Sequence, residues 1–138
     1  MYQPGLIAPV LALVLWTLVI WIWMYATRIP AIQKAKIDPQ EAARTRTLAL
    51  PAEVMWVSDN YNHLMEQPTI FYAAAFAAQI AGQADAVNIG LAWTYVGLRV
   101  VHSLIQCTVN IVTLRFAVFT LSTIALAALA LRTAAALF

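Results

Sequence analysis

Charged residues are scarce in this 138-residue sequence, which contains only eight Lys and Arg and six Asp and Glu. The formal net charge is only +2, and the sequence has no basic run and no interleaving of basic with aromatic residues, so nucleic-acid binding is excluded. Hydrophobic residues make up 63% of the chain, well above the roughly 45–50% of a soluble domain. The sequence therefore predicts an integral membrane protein whose main contact is the lipid bilayer.

Cysteine is almost absent, since Cys107 is the only one. A single cysteine forms no internal disulfide, and within an apolar helix we interpret Cys107 as a small hydrophobic residue. A metal site at His63, Glu66 and His102 is a weaker alternative, because the repeated Glu-x-x-His pattern of di-iron bundles is absent. We therefore predict no metal.

Residues 6–27 contain no charged residue and are long enough to cross a hydrocarbon core, which needs about 20 apolar residues. This segment lacks a basic leader and a small-residue cleavage site, so we predict a retained first span rather than a signal peptide. The loop that follows, about 28–52, is rich in Lys and Arg and is therefore predicted to be cytoplasmic. Both chain termini are then expected on the non-cytoplasmic side.

Three further spans are predicted at about 56–82, 88–111 and 115–136, which gives one domain over residues 1–138, an all-α bundle of four transmembrane helices. The cleanly apolar part of the second span, 70–82, is too short to cross the membrane alone, so Asn62 and Glu66 are drawn into the bilayer. Pro68 should kink or loosen this helix. Arg132, near the end of the last span, is expected to extend towards the membrane interface.

Polar residues of the third span repeat at helical spacing, so we place them on one face of the helix: Arg99, His102, Ser103, Gln106 and Asn110. At about 1.5 Å per residue, Glu66 and Arg99 reach similar depths in the membrane. Because an ionised residue at a helix centre costs about 2.5–3.5 kcal/mol, we predict that these two pair or face one polar cavity. The alternative is that the polar residues only join helices through hydrogen bonds.

Two segments resemble the MAPEG family, the membrane-associated proteins of eicosanoid and glutathione metabolism, and in particular its small bacterial branch. They are residues 60–73, which read NYNHLMEQPTIFYA, and residues 92–119, which read AWTYVGLRVVHSLIQCTVNIVTLRFAVF. The plan of four spans with a basic first loop agrees with this family over the whole chain.

The resemblance implies a homotrimer, in a bacterial inner membrane, that binds glutathione between protomers and transfers it to lipophilic electrophiles or reduces hydroperoxides with it. Arg115 would be the catalytic residue that stabilises the thiolate. The residues implied in glutathione binding are Asn62, Glu66, Arg99, His102, Gln106 and Asn110. The alternative function is a non-catalytic scaffold, an accessory subunit of a larger membrane complex, or an amphiphile-binding protein.

Overall fold

The computed structural model describes residues 4–138, and this part of the chain is helical and contains no strand. The helices are α1 (Ile7–Lys34), α2 (Pro39–Thr45), α3 (Ala52–Leu64), α4 (Gln67–Ile80), α5 (Ala86–Thr108) and α6 (Val112–Leu137). The predicted all-α class is therefore confirmed. Residues 1–3, which belong to the predicted domain, lie outside the described residues.

Two helices, α1 and α6, are long and apolar enough to cross a membrane. With 28 and 26 residues, they rise about 42 and 39 Å, more than the roughly 30 Å of a hydrocarbon core. Large apolar side chains such as Leu15, Ile22 and Ile124 are well exposed on their surfaces. In water these side chains would be costly, whereas lipid accommodates them.

The second predicted span consists of two helices rather than one. α3 ends at Leu64 and α4 begins at Gln67, with Glu66 outside helical geometry at φ −89° and ψ −96°. The ring of Pro68 would clash with the carbonyl of Leu64 in a continuous helix, which explains where α3 ends. Pro68 instead lies in the first turn of α4, where its missing N–H costs nothing. Pro68 thus causes a complete break instead of a kink.

The core runs along the contacts of α1, α3, α4, α5 and α6. Its fully buried side chains include Leu13, Ile20, Phe71, Tyr95 and Leu129. The ring of Phe71 stacks on the ring of Tyr95 with centroids 4.5 Å apart, which joins α4 to α5. Close packing of this kind, more than expulsion from water, holds helices together in lipid.

Hydrogen bonds join the helices at the end of the bundle that lies away from the loop, which we call the far end. The backbone N–H of Leu6 donates to Gln79 Oε1 at 2.8 Å. The preceding Gly5 has a φ of +49°, which favours glycine, and a Cβ at this position would meet Gln79 Oε1. Arg132 donates to Asp85 Oδ2 and Asn88 Oδ1, both at 3.0 Å. Arg132 therefore connects α6 to the start of α5, a partner that its position in the sequence did not predict.

Replacing Asp85 by Asn is expected to lower the melting temperature at neutral pH. The backbone N–H of Asn88, assisted by Arg132, holds the pKa of Asp85 below its ordinary value of 3.8. The stability contributed by this carboxylate is thus fully present above that value, and it is lost as the pH falls through the lower pKa of the folded protein. Melting curves of both proteins in detergent should converge at acid pH. A Glu41→Gln control removes only an exposed ion pair with Arg44 and should leave the pH dependence of the melting temperature unchanged. If the difference in melting temperature between Asp85→Asn and the unsubstituted protein persists at acid pH, Asp85 does not have this role.

The loop between α1 and α3 is partly helical. α1 continues beyond residue 27 to Lys34, and α2 forms within the loop. Asp38 caps α2 by accepting a hydrogen bond from the backbone N–H of Gln40 at 2.9 Å, and Pro39 occupies the first turn. Arg46 ends α2 in the left-handed conformation at φ 56°. The loop side of the bundle thus carries ordered structure.

Candidate functional site

The polar face predicted for α5 is buried against α3. Arg99, His102 and Gln106 are exposed by only 0%, 1% and 3%, and Ser103 lies beside them at 0%. Gln106 Oε1 accepts a hydrogen bond from Asn60 Nδ2 of α3 at 3.0 Å. The spacing of three and four residues therefore identified four residues of this buried face correctly. The fifth predicted residue, Asn110, instead lies beyond the end of α5, in the link to α6.

Arg99 is fully buried and has few partners. Its Nη2 donates to the backbone oxygen of His63 at 3.3 Å, and its guanidinium lies 5.4 Å from the ring centroid of Phe119. Its Nε and Nη1 atoms are buried and have no hydrogen-bond partner among the described residues. A buried cation with unused donors is a costly arrangement, and an approaching anion would relieve it.

The predicted pairing of Glu66 with Arg99 is wrong for the single chain. Within residues 4–138 the ion pairs are Arg44–Glu41 and Arg132–Asp85. Glu66 is exposed and lies at the break between α3 and α4. In a continuous helix, Glu66 would lie at the same depth as Arg99. The break between α3 and α4 instead leaves Glu66 off the buried face of α3.

A cavity of about 330 Å³ opens beside Arg99, between α3, α5 and α6. It is lined by His63, His102, Val112, Arg115, Phe116 and Phe119. The two imidazole rings lie 5.3 Å apart, and the lining includes no carboxylate. Nδ1 of His63 and Nδ1 of His102, both from lining residues, are buried and have no hydrogen-bond partner among the described residues, and the same holds for Oγ of Ser103, next to His102 in sequence. A cationic, partly aromatic cavity of this kind suits an anionic ligand with an apolar portion.

Arg115 is held in this cavity by Asn110. Arg115 Nη1 donates to Asn110 Oδ1 at 2.6 Å. Asn110 adopts the left-handed conformation at φ 47° in the short link between α5 and α6, a conformation that Asn tolerates better than most residues. The structure thus gives Asn110, predicted as a ligand-binding residue, a contact that positions Arg115.

The structure brings some of the predicted site residues together and separates others. Arg115 and His102 line the cavity, with Arg99 and Asn110 next to them. Gln106 is bonded to Asn60 and does not line the cavity. Asn62 and Glu66 lie on the exposed surface of the chain, close in sequence to the exposed Asp59.

Four lining residues were not predicted as ligand-binding residues, namely His63, Val112, Phe116 and Phe119. His63 was considered only as a metal ligand, although it lies three residues after the buried Asn60 and hence on the same side of α3. Phe119 contacts both imidazoles, with centroid distances of 5.7 and 6.0 Å. Its apolar surroundings in α6 gave no signal of this role.

Residues 4–138 contain no group of three or more His, Cys, Asp and Glu side chains that could hold a metal ion. The cysteine, Cys107, is buried on α5.

The fold and cavity define a class of protein: an all-helical membrane protein with a cationic cavity between its helices. The family model of the MAPEG family matches residues 6–135. The chain belongs to the MAPEG family, as its two motif segments predicted. No curated protein and no solved structure matches it at a significant level.

Proposed function

We propose that this protein crosses the membrane four times and that three copies form a homotrimer. The tandem helices α3 and α4 contain 13 and 14 residues, so each rises only about 20 Å and both are needed for one crossing. The basic loop lies on the cytoplasmic side and both termini on the opposite side, by the positive-inside rule. The membrane is a bacterial inner membrane, in keeping with the branch that the sequence resembles.

Exposed polar groups on α3 and at its end support contact with a second copy. Asp59 and Asn62 are exposed in the single chain and lie three residues apart on α3, which places them on one side of the helix. Glu66 is also exposed and follows the end of α3. Facing lipid, such groups would be costly, whereas a neighbouring protomer can satisfy them. A trimer covers this face and brings Glu66 to a subunit boundary.

We propose further that the cavity binds glutathione and that the protein is a glutathione-dependent transferase or peroxidase. The single observation that carries this proposal is the lining of the cavity, which presents the guanidinium of Arg115 and the imidazoles of His63 and His102 but no carboxylate. Glutathione presents two carboxylates, an ammonium group and a thiol. The carboxylates suit the basic groups of the cavity, and Glu66 from the subunit boundary suits the ammonium group.

The proposed chemistry follows from the position of Arg115. A guanidinium next to the thiol lowers the thiol pKa, and the resulting thiolate is the nucleophile. In the transferase reaction, the sulfur forms a bond to the electrophilic carbon, and the leaving group departs with its electron pair. Lipophilic electrophiles reach the site from the bilayer, where the protein exposes its apolar surface.

A non-catalytic function is the second candidate, as a scaffold, an accessory subunit of a larger membrane complex or an amphiphile-binding protein. The exposure of Asn62 and Glu66 outside the cavity favours it, because two of the residues implied in glutathione binding do not meet the others within one chain. In that case the polar face of α3 serves assembly alone.

A glutathione titration of the purified protein in detergent separates the two candidates. We expect millimolar glutathione to raise the melting temperature and to produce thiolate absorbance at neutral pH. S-methylglutathione, which keeps both carboxylates but has no ionisable thiol, should stabilise the protein without the absorbance. The absence of both signals with glutathione would contradict the enzyme and favour the scaffold.

A further inference from the structure

A second basic pocket lies in the loop region, between the end of α1 and α2. Its volume is about 400 Å³, and we call it the α1–α2 pocket. It is lined by two arginines and by apolar side chains, namely Arg28, Ile32, Pro39, Ala42, Ala43, Arg46 and Leu48. It shares no lining residue with the cavity at Arg115, so it is a separate site.

The positive charges of this pocket have no acidic partner among the described residues. Arg28 Nη1 donates to the neutral hydroxyl of Ser58 at 2.9 Å, and Arg46 forms no ion pair. The neighbouring Arg44 differs, because it donates to both carboxylate oxygens of Glu41 at 3.0 and 2.7 Å. The loop therefore neutralises one arginine and leaves the two that line the pocket available to an anion.

The position of Arg28 along α1 places the pocket at the membrane boundary. Arg28 is the first charged residue of the sequence, and the helix from Ile7 to Arg28 rises about 32 Å, close to the thickness of a hydrocarbon core. A second groove of about 330 Å³ shares Arg28 and Ile32 with the pocket and continues towards the membrane along Met24, Tyr25 and Ile29. A cationic pocket thus adjoins an apolar groove at the level of the lipid headgroups.

We infer that the α1–α2 pocket binds an anionic phospholipid. The phosphate lies between the guanidinium groups of Arg28 and Arg46, and an acyl chain follows the groove at Met24 and Ile29. Charge complementarity selects the anionic headgroup, since arginine binds phosphate through paired N–H donors. The adjoining groove selects a lipid over a soluble phosphate.

The test is native mass spectrometry of the detergent-solubilised protein with phosphatidylglycerol or phosphatidylcholine added. We expect phosphatidylglycerol to bind more tightly than phosphatidylcholine, and Arg46→Gln to weaken phosphatidylglycerol binding about fivefold, the effect of roughly 1 kcal/mol per basic residue near an anionic surface. Arg28→Gln should weaken it similarly. Arg46 is exposed and neither of the ion pairs among residues 4–138 involves it, so its substitution should leave folding intact.

Arg44→Gln is the matched control, because it removes the same charge from the same loop but outside the pocket. It should leave the preference for phosphatidylglycerol within about twofold of the unsubstituted protein, since screening makes exposed charges weak at a distance. Equal losses in the Arg44 and Arg46 variants would overturn the proposal in favour of a diffuse surface charge. Inorganic phosphate that displaces phosphatidylglycerol at equal concentration would also overturn it, because the groove would then contribute nothing.

Discussion

Arg115→Ala is expected to lower kcat/KM for glutathione conjugation to a lipophilic electrophile by about 100-fold or more. Loss of one group that stabilises a developing anion typically costs about 10²–10³ in rate, and the proposed thiolate depends on this guanidinium. The thiolate absorbance should disappear in the same variant. Stopped-flow absorbance and steady-state kinetics in detergent measure both effects.

Three further measurements test whether Arg115 acts through the thiolate. Arg115→Lys keeps the charge but loses the planar fork of donors, so it should retain part of the thiolate signal. Asn110→Gly keeps the left-handed backbone of the link but removes the 2.6 Å contact with Arg115, and it should cause a smaller loss of activity. The trimer should persist in every variant, as judged by size-exclusion chromatography with light scattering. Retention of the thiolate in Arg115→Ala would remove Arg115 from its assigned role.

Arg99→Met is expected to stabilise the ligand-free protein by about 1 kcal/mol and to weaken glutathione binding about tenfold. Burial of a charge at a helix centre costs about 2.5–3.5 kcal/mol. In return, Arg99 gains one 3.3 Å hydrogen bond and a contact with the Phe119 ring, together about 1–2 kcal/mol. Methionine fills a similar volume without the charge, so unfolding becomes harder while the attraction for an anion is lost.

Gln106→Met is the matched comparison on the same face of α5. It leaves the buried Asn60 amide without its partner, so it should destabilise the protein by about 1–3 kcal/mol. Equilibrium unfolding in a denaturing detergent measures the free energy of unfolding of both variants. A destabilised Arg99→Met variant would mean that the guanidinium has a strong partner in the assembled protein, such as Glu66 of a neighbouring copy.

Helical spacing in the sequence was enough to predict the buried face of α5. Arg99, His102, Ser103 and Gln106 follow the three- and four-residue spacing, and all four are buried. Asn110 continues the spacing but lies beyond the end of the helix. The all-α class followed equally directly from the long apolar segments. Such predictions depend only on local geometry, which a single segment of sequence contains.

Contacts between different helices were harder to predict from the sequence. Counting residues gave the depth of Glu66 but not the direction in which it points, and the break before Pro68 changed that direction. The contact of Arg132 with Asp85 joins residues far apart in sequence, as does the approach of Phe119 to His63. These contacts depend on how whole helices pack, and side-chain periodicity does not specify that.

The hydrogen bonds at the far end of the bundle have a consequence for how a ligand enters. Leu6 is tied to Gln79, and Arg132 to Asp85 and Asn88, so α1 is held to α4 and α6 to α5 at that end. The cavity at Arg115 lies towards the opposite end, where α5 turns into α6. At the loop side, Arg28–Ser58 joins α1 to α3 and Asn60–Gln106 joins α3 to α5, whereas no hydrogen bond among the described residues joins α3 to α6. In the proposed arrangement, a lipophilic substrate therefore enters laterally between α3 and α6 from the cytoplasmic leaflet.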